Sequence, residues 1–384
     1  MITKALFIPL LFVLSIYAIG EDRYQQYERA TQYGNWIIPV KVDGKYVGRF
    51  AIANRLPYSV YRPSLYGDAK DFVDGRHKLS IGPVGLDSVM LMKDLSGDKR
   101  MAIDGILGAD VLKDMVLGFD PEGQVVCVFK KGATQDDFQK WIDIPEEHRG
   151  EKGTLVQVSL EKDEEDGLVV NAKIGSYPLS MYFDTSGTNP ISLGSETVPD
   201  QFLRLTSVKR RDYNATTTQY TDVSLGVISP LSIEGSVAPF CLALVRSSGS
   251  DSSMVATTYG IPSPRIIIDF AKSKMYIKKM SADELASWSF SKVFLPCKID
   301  GDHIMMRASR AEVLANAKPK YDGMELVSIG DMDSSKILNS LRSGGKDLLD
   351  CIVAIRNLLV SRTPMVIKDK KGNLISTALA PVKG

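Results

Sequence analysis

The chain has 384 residues, 44% hydrophobic and 24% charged, with 47 basic side chains against 46 acidic ones, enough for two or three domains at about 100 to 200 residues each. A formal charge of +1 supplies no basic excess for nucleic acid or an anionic membrane surface. Three histidines and four scattered cysteines, with no CxxC and no HExxH, speak against a zinc cluster and against Cys/His catalysis, so neither a metal nor a cofactor is expected.

In chain order, the first segment is a basic start, an apolar run from Ala5 to Ile19 and small residues Ala18 and Gly20 before Glu21-Asp22-Arg23. This layout predicts a signal peptide over 1–20. An uncleaved anchor is the alternative, although the run is short of the ~20 residues a span prefers. Either way the remainder is expected outside the cytoplasm, periplasmic or secreted, with no membrane contact beyond this segment. Cys127 and Cys241 lie in apolar strand-like runs, where buried thiols are expected.

The next 250 residues hold a repeat. Val40 to Lys45 and Ala172 to Ser176 are alternating strands that run into Gly-containing turns. Phe50-Ala51-Ile52 can be laid on Phe183-Asp184-Thr185 so that a phenylalanine, a proline and a serine coincide, Pro57 with Pro190 and Ser59 with Ser192. Each unit closes on a strand, a tight turn and a strand: Val116 to Asp120 then Val125 to Lys131, and Ile266 to Phe270 then Met275 to Lys279. The units span 33–131 and 153–280, joined by a polar linker over 132–152 with one short helix near 136–142. The acidic run 161–166 before Gly167 lacks alternating ligand spacing and predicts a solvated hairpin turn rather than a calcium loop.

Tyr182-Phe183-Asp184-Thr185-Ser186-Gly187-Thr188 in the second unit and Asp104-Gly105-Ile106-Leu107-Gly108-Ala109-Asp110-Val111-Leu112 in the first resemble the two signatures of the retropepsin and pepsin type of aspartic proteases. The resemblance extends to the exported two-repeat bacterial members that carry a following PDZ-like domain. It implies a mainly β chain: two tandem acid-protease-like β lobes, then a small α+β PDZ-like domain. It also implies a catalytic candidate, Asp184, in a loop shaped by Thr185, Ser186, Gly187 and Thr188.

Proteolysis of this kind needs two carboxylates sharing one proton, one from each lobe. The repeat alignment places Ala51 opposite Asp184 and Ile52 opposite Thr185, so the dyad lacks a member and the cross-linking hydroxyl lacks its counterpart. In the second unit the later signature reads Thr258-Tyr259-Gly260, with two prolines following. Three functions follow as expectations: a non-catalytic or degenerate peptidase homologue, a pseudoenzyme binding an extended peptide or protein segment; an active endopeptidase in which a homodimer contributes Asp184 twice; or an unrelated β-rich structural envelope protein.

Beyond Lys279 the pattern changes. A capping signal at Ser281 predicts a helix over 282–288, followed by strands near 292–299 and 304–308, a short helix over 310–316, a helix over 335–350 and a hairpin over 365–379. Asp322 to Asp333 is similar to the strand and turn of PDZ domains, which take a peptide as an added strand, so the domain over 290–384 is a second candidate for peptide capture.

Overall fold

The structure is a computed structural model that describes residues 23–27, 31–32, 35–61, 74–93, 103–143, 154–163, 167–186, 190–214, 219–246, 254–294, 297–307 and 320–377. The segment 1–20, Gly187, Thr188 and the short helix expected over 310–316 lie outside the described residues. The architecture is mainly β, as expected; two β lobes precede a C-terminal stretch of strands and helices.

Each lobe repeats one path. A hairpin, Asn35–Val42 with Tyr46–Ile52 in the first lobe and Leu168–Ile174 with Tyr177–Asp184 in the second, turns where Asp43 and Gly44, or Gly175, adopt positive φ. The second strand of each hairpin runs into a loop. A later short strand, Gly105–Leu107 or Met254–Thr257, returns parallel beside it, so that Phe50 lies next to Gly105 as Met181 lies next to Met254. Apolar side chains alternate inward along these strands: Phe50 and Ile52 in one lobe, Met181 and Phe183 in the other, are all buried in one core that both lobes share.

The closing strand pairs join the lobes edge to edge. Val116–Asp120 pairs antiparallel with Ile266–Asp269, and outward from that seam lie Val125–Phe129 then Tyr24–Tyr27 on one side, Lys274–Lys278 then Leu155–Lys162 on the other. Both closing turns are built alike. Asp120 Oδ1 accepts from Gly123 N at 2.6 Å and Asp269 Oδ1 from Lys272 N at 3.1 Å, while Gln124 and Ser273 take φ of 54° and 51°. Matching hydrogen-bonded turns at matching places are the strongest internal sign of duplication.

The stretch read as a linker does more than connect. Thr134 and Asp137 form a capping box at the start of helix Gln135–Ile142, and Phe138 and Trp141 pack on Cys127, Phe129, Ile267 and Tyr276 from both lobes. Arg265 extends into this seam: its Nε lies 3.1 Å from Asp120 Oδ2, its Nη1 donates to the Trp141 carbonyl at 2.5 Å, and its guanidinium sits over the Trp141 ring.

The C-terminal unit is an antiparallel sheet in the order Cys297–Asp300, His303–Met306, Glu325–Ile329, Met365–Lys368, Leu374–Thr377. Its helices correct the sequence reading. The first runs Ala282–Val293, through residues expected to begin a strand, and the long helix is two, Ser334–Ser343 and Gly345–Val360, broken at Gly344 with φ 68°. This unit shares a core with the second lobe, where Val223, Leu225, Val227, Phe240, Leu242 and Leu244 pack with Phe290, Leu348 and Ile352. All four cysteines are free and buried, and burial pushes the Cys241 thiol up to about 12.

Candidate functional site

The two lobes meet where the first hairpin of each ends. Strand Tyr177–Asp184 carries Phe183 into the core and presents Asp184, half-buried, on the opposite face, with Tyr182 beside it by the two-residue alternation. Thr185 follows, fully buried. Its hydroxyl accepts from Asn54 N at 3.1 Å and donates to Asn54 Oδ1 at 3.0 Å, with the Ile52 carbonyl 3.4 Å away. Asn54 answers across the boundary: its Oδ1 accepts from Thr185 N at 2.8 Å and its Nδ2 donates to the Phe183 carbonyl at 2.8 Å. Three buried backbone groups, the N–H of Asn54, the N–H of Thr185 and the carbonyl of Phe183, are thereby satisfied by one amide side chain and one hydroxyl.

These bonds correct the expected pairing. The residue opposite Thr185 is Asn54, not Ile52, and the position matching Asp184 is therefore Ala53, not Ala51. Ala51 is buried elsewhere, against Ile37, Ile103 and Ile106. The strand registers agree, since Ile52 lies beside Leu107 as Phe183 lies beside Ala256. The loops differ by one residue: Val60 and Ser192 occupy matching places, opposite Ile106 and Val255. Neither Ser59 with Ser192 nor Pro57 with Pro190 is a structural match. Asn54 carried a recognisable signal, because an amide holds both a donor and an acceptor and can do the work of a missing hydroxyl.

The later signatures also shift. In the first lobe Gly108 is required by close approach, a Cβ there meeting the Leu56 carbonyl oxygen at 2.6 Å, and Ala109 N donates to that carbonyl at 2.7 Å. Ser59 completes the nest, accepting from Gly108 N at 2.9 Å and donating to Asp110 Oδ1 at 2.7 Å. The second-lobe counterpart of Gly108 is Thr257, at the end of strand Met254–Thr257, rather than Gly260. Gly260 serves a different contact, since a Cβ there would lie 2.0 Å from the Pro190 carbonyl oxygen.

Asp184 holds its neighbour rather than a second acid. Its Oδ1 accepts from Ser186 N at 2.8 Å and from the Ser186 hydroxyl at 2.6 Å. The other acids of the first lobe's signature are engaged elsewhere: Asp104 Oδ2 accepts from Arg49 N at 2.8 Å, and Asp110 holds Ser59. Among the described residues the paired loops thus offer one carboxylate. Acid-base chemistry by two coupled carboxyls has one half of its apparatus here; hydrogen bonding to an extended chain does not need the other half.

The second candidate site, in the C-terminal unit, is closed along one edge. Helix Ala282–Val293 lies along strand Cys297–Asp300 and covers the backbone donors that face away from the sheet. Ser287 Oγ accepts from Ile299 N at 2.9 Å and Ser291 Oγ from Cys297 N at 3.1 Å, while the two hydroxyls donate to the Asp283 and Ser287 carbonyls of their own helix. An incoming strand finds those donors occupied. The opposite edge, Leu374–Thr377, is exposed, with Leu374 at 66%.

Compared with known proteins, the sequence matches no protein-family profile and no curated protein. Solved structures similar to it include an aspartic proteinase from Irpex lacteus (TM-score 0.41, 10% identity, covering 67% of this chain and 98% of that one). Basic 7S globulin from soybean is similar at TM-score 0.41 and 8% identity, over 67% of this chain and 95% of that one. Conglutin gamma, a basic 7S globulin from lupine seeds, is similar at TM-score 0.41 and 6% identity, over 70% and 97%.

Proposed function

We propose that this protein is an exported, non-catalytic relative of the two-lobed acid peptidases that binds an extended peptide or protein segment where its lobes meet. The observation that carries the reading is the Asn54–Thr185 exchange, which ties the loops together within one chain and thereby sets a methyl group, Ala53, where a second carboxylate would be needed. Binding asks less of the site than cleavage does: strand edges supply donors and acceptors, and the cross-linked loops supply a rigid floor.

A homodimer that brings two copies of Asp184 together is disfavoured by the same geometry. The second lobe's closing strand Ile266–Asp269 is already paired with Val116–Asp120, and the Arg265–Asp120 ion pair is buried in that seam. Two second lobes could pair in this way only if each first lobe were displaced.

The test is incubation of the mature chain with a mixed peptide library from pH 3 to 7, with mass spectrometry for new termini and a parallel pull-down for retained peptides. Retention without cleavage is the expected result. Acid-dependent cleavage that disappears in Asp184→Asn would overturn the non-catalytic reading.

A further inference from the structure

The first loop does not merely lack an acid. It carries a cation. Arg55 follows Asn54, in the place that Ser186 holds in the second loop, and it is exposed. Its guanidinium carbon lies 5.1 Å from the centroid of the Tyr182 ring, which belongs to the other lobe. Tyr182 stands two residues before Asp184 on the same face of strand Tyr177–Asp184. The first loop therefore reaches across the boundary and sets a positive charge beside the strand face that bears the single negative one.

An exposed arginine is ordinarily a solvated, mobile charge, with several rotatable bonds to immobilise before it can hold a ligand. Three features set Arg55 apart. Its guanidinium is placed over an aromatic face, a contact that restrains the group without using its N–H donors. Among the described residues it forms no ion pair, so its charge is not spent within the protein. Its loop is anchored by the buried Asn54, so the stem moves little. The same loop presents Tyr58 at 58% exposure, an aromatic surface of the type enriched in binding sites.

We infer that Arg55, held on Tyr182, reads a carboxylate of the bound chain, so that the site selects extended peptides carrying an acidic side chain or a free C-terminus at one fixed register. A planar fork matches a carboxylate through two parallel charge-assisted hydrogen bonds, which fixes position as well as sign. The inference rests on the peptide-binding reading above and narrows it to a class of ligand. It also gives the missing acid a consequence: a carboxylate at Ala53 would offset the charge that Arg55 brings.

The experiment uses fluorescein-labelled extended nonapeptides in which Glu, Gln or Lys is scanned through successive positions, each made with a free or an amidated C-terminus, and binding to the full chain is followed by anisotropy at pH 7. Glu at one register is expected to bind about tenfold more tightly than Gln there. Loss of the preference on amidation alone would identify the chain end as the carboxylate read. Arg55→Glu should reverse the order in favour of Lys, and Tyr182→Leu should weaken the Glu preference without changing the charge. Equal binding of Glu, Gln and amidated peptides, or a Glu preference that survives Arg55→Glu, overturns the inference and leaves peptide binding standing. Binding of no peptide at all overturns both.

Discussion

Asn54 is the residue on which the site geometry turns. Its side chain makes contacts that a threonine hydroxyl can make only in part, because Oδ1 and Nδ2 reach the Thr185 amide and the Phe183 carbonyl at once. Asn54→Ala leaves a buried N–H and a buried C=O without partners and should cost about 2–4 kcal/mol, read as a lower urea midpoint at unchanged slope. Asn54→Asp keeps the shape but sets a carboxylate against the Phe183 carbonyl, and is expected to cost at least as much as alanine. If both variants unfold with the wild type, the exchange is not what holds the loops. Asp184 and Thr185 were legible from their place in the repeat. The signal in Asn54, a donor and an acceptor on one side chain, was masked by three coincident identities that favour a pairing two residues away. Strand faces repeat every two residues, so Ala51 and Ala53 belong to the same face and a hydrophobic pattern cannot choose between them.

At the scale of elements, helix Ala282–Val293 has a start that local sequence specifies and an end that it does not. Ser281 and Glu284 form the expected capping box. The helix then runs on to Val293 because it is held from outside: Ser287 and Ser291, four residues apart on one face, receive the N–H groups of the neighbouring strand edge. Replacing both serines by alanine should speed amide exchange at Ile299 and Cys297 and lower stability by about 1–3 kcal/mol. Unchanged exchange at these two amides would show that the edge is not closed by the hydroxyls. With this edge covered, peptide capture by the C-terminal unit would have to use another surface, and the boundary between the lobes carries the binding function proposed here.

For the molecule as a whole, the second lobe and the C-terminal unit are one packing problem. In the first lobe, strand Gly75–Ile81 buries only Leu79 and Ile81 and strand Val84–Lys93 only Val84 and Leu91, the remaining positions being partly or fully exposed, as in a sheet with one wet face. Strand Cys241–Arg246 in the second lobe is buried at every position but its last, and its outward face joins the C-terminal core. A chain truncated after Lys279 should therefore expose Val223, Leu225, Val227, Phe240, Leu242 and Leu244 together and become insoluble or strongly dye-binding. A soluble, monomeric fragment that unfolds as the full chain does would contradict this. The sequence by itself determined what is local and periodic: a mainly β chain, two units with matching hairpins, the closing turns, the capped helix start at Ser281, and a neutral charge balance with no basic excess. Only the tertiary structure decided which residue stands across from Asp184, which strand edge is closed, and that the seam between the lobes is sealed within one chain. The partner of Asp184 and the seam depend on the register between segments more than a hundred residues apart, and the closed edge on hydroxyls of the preceding helix, all fixed by hydrogen bonds whose partners leave no periodic trace along the chain.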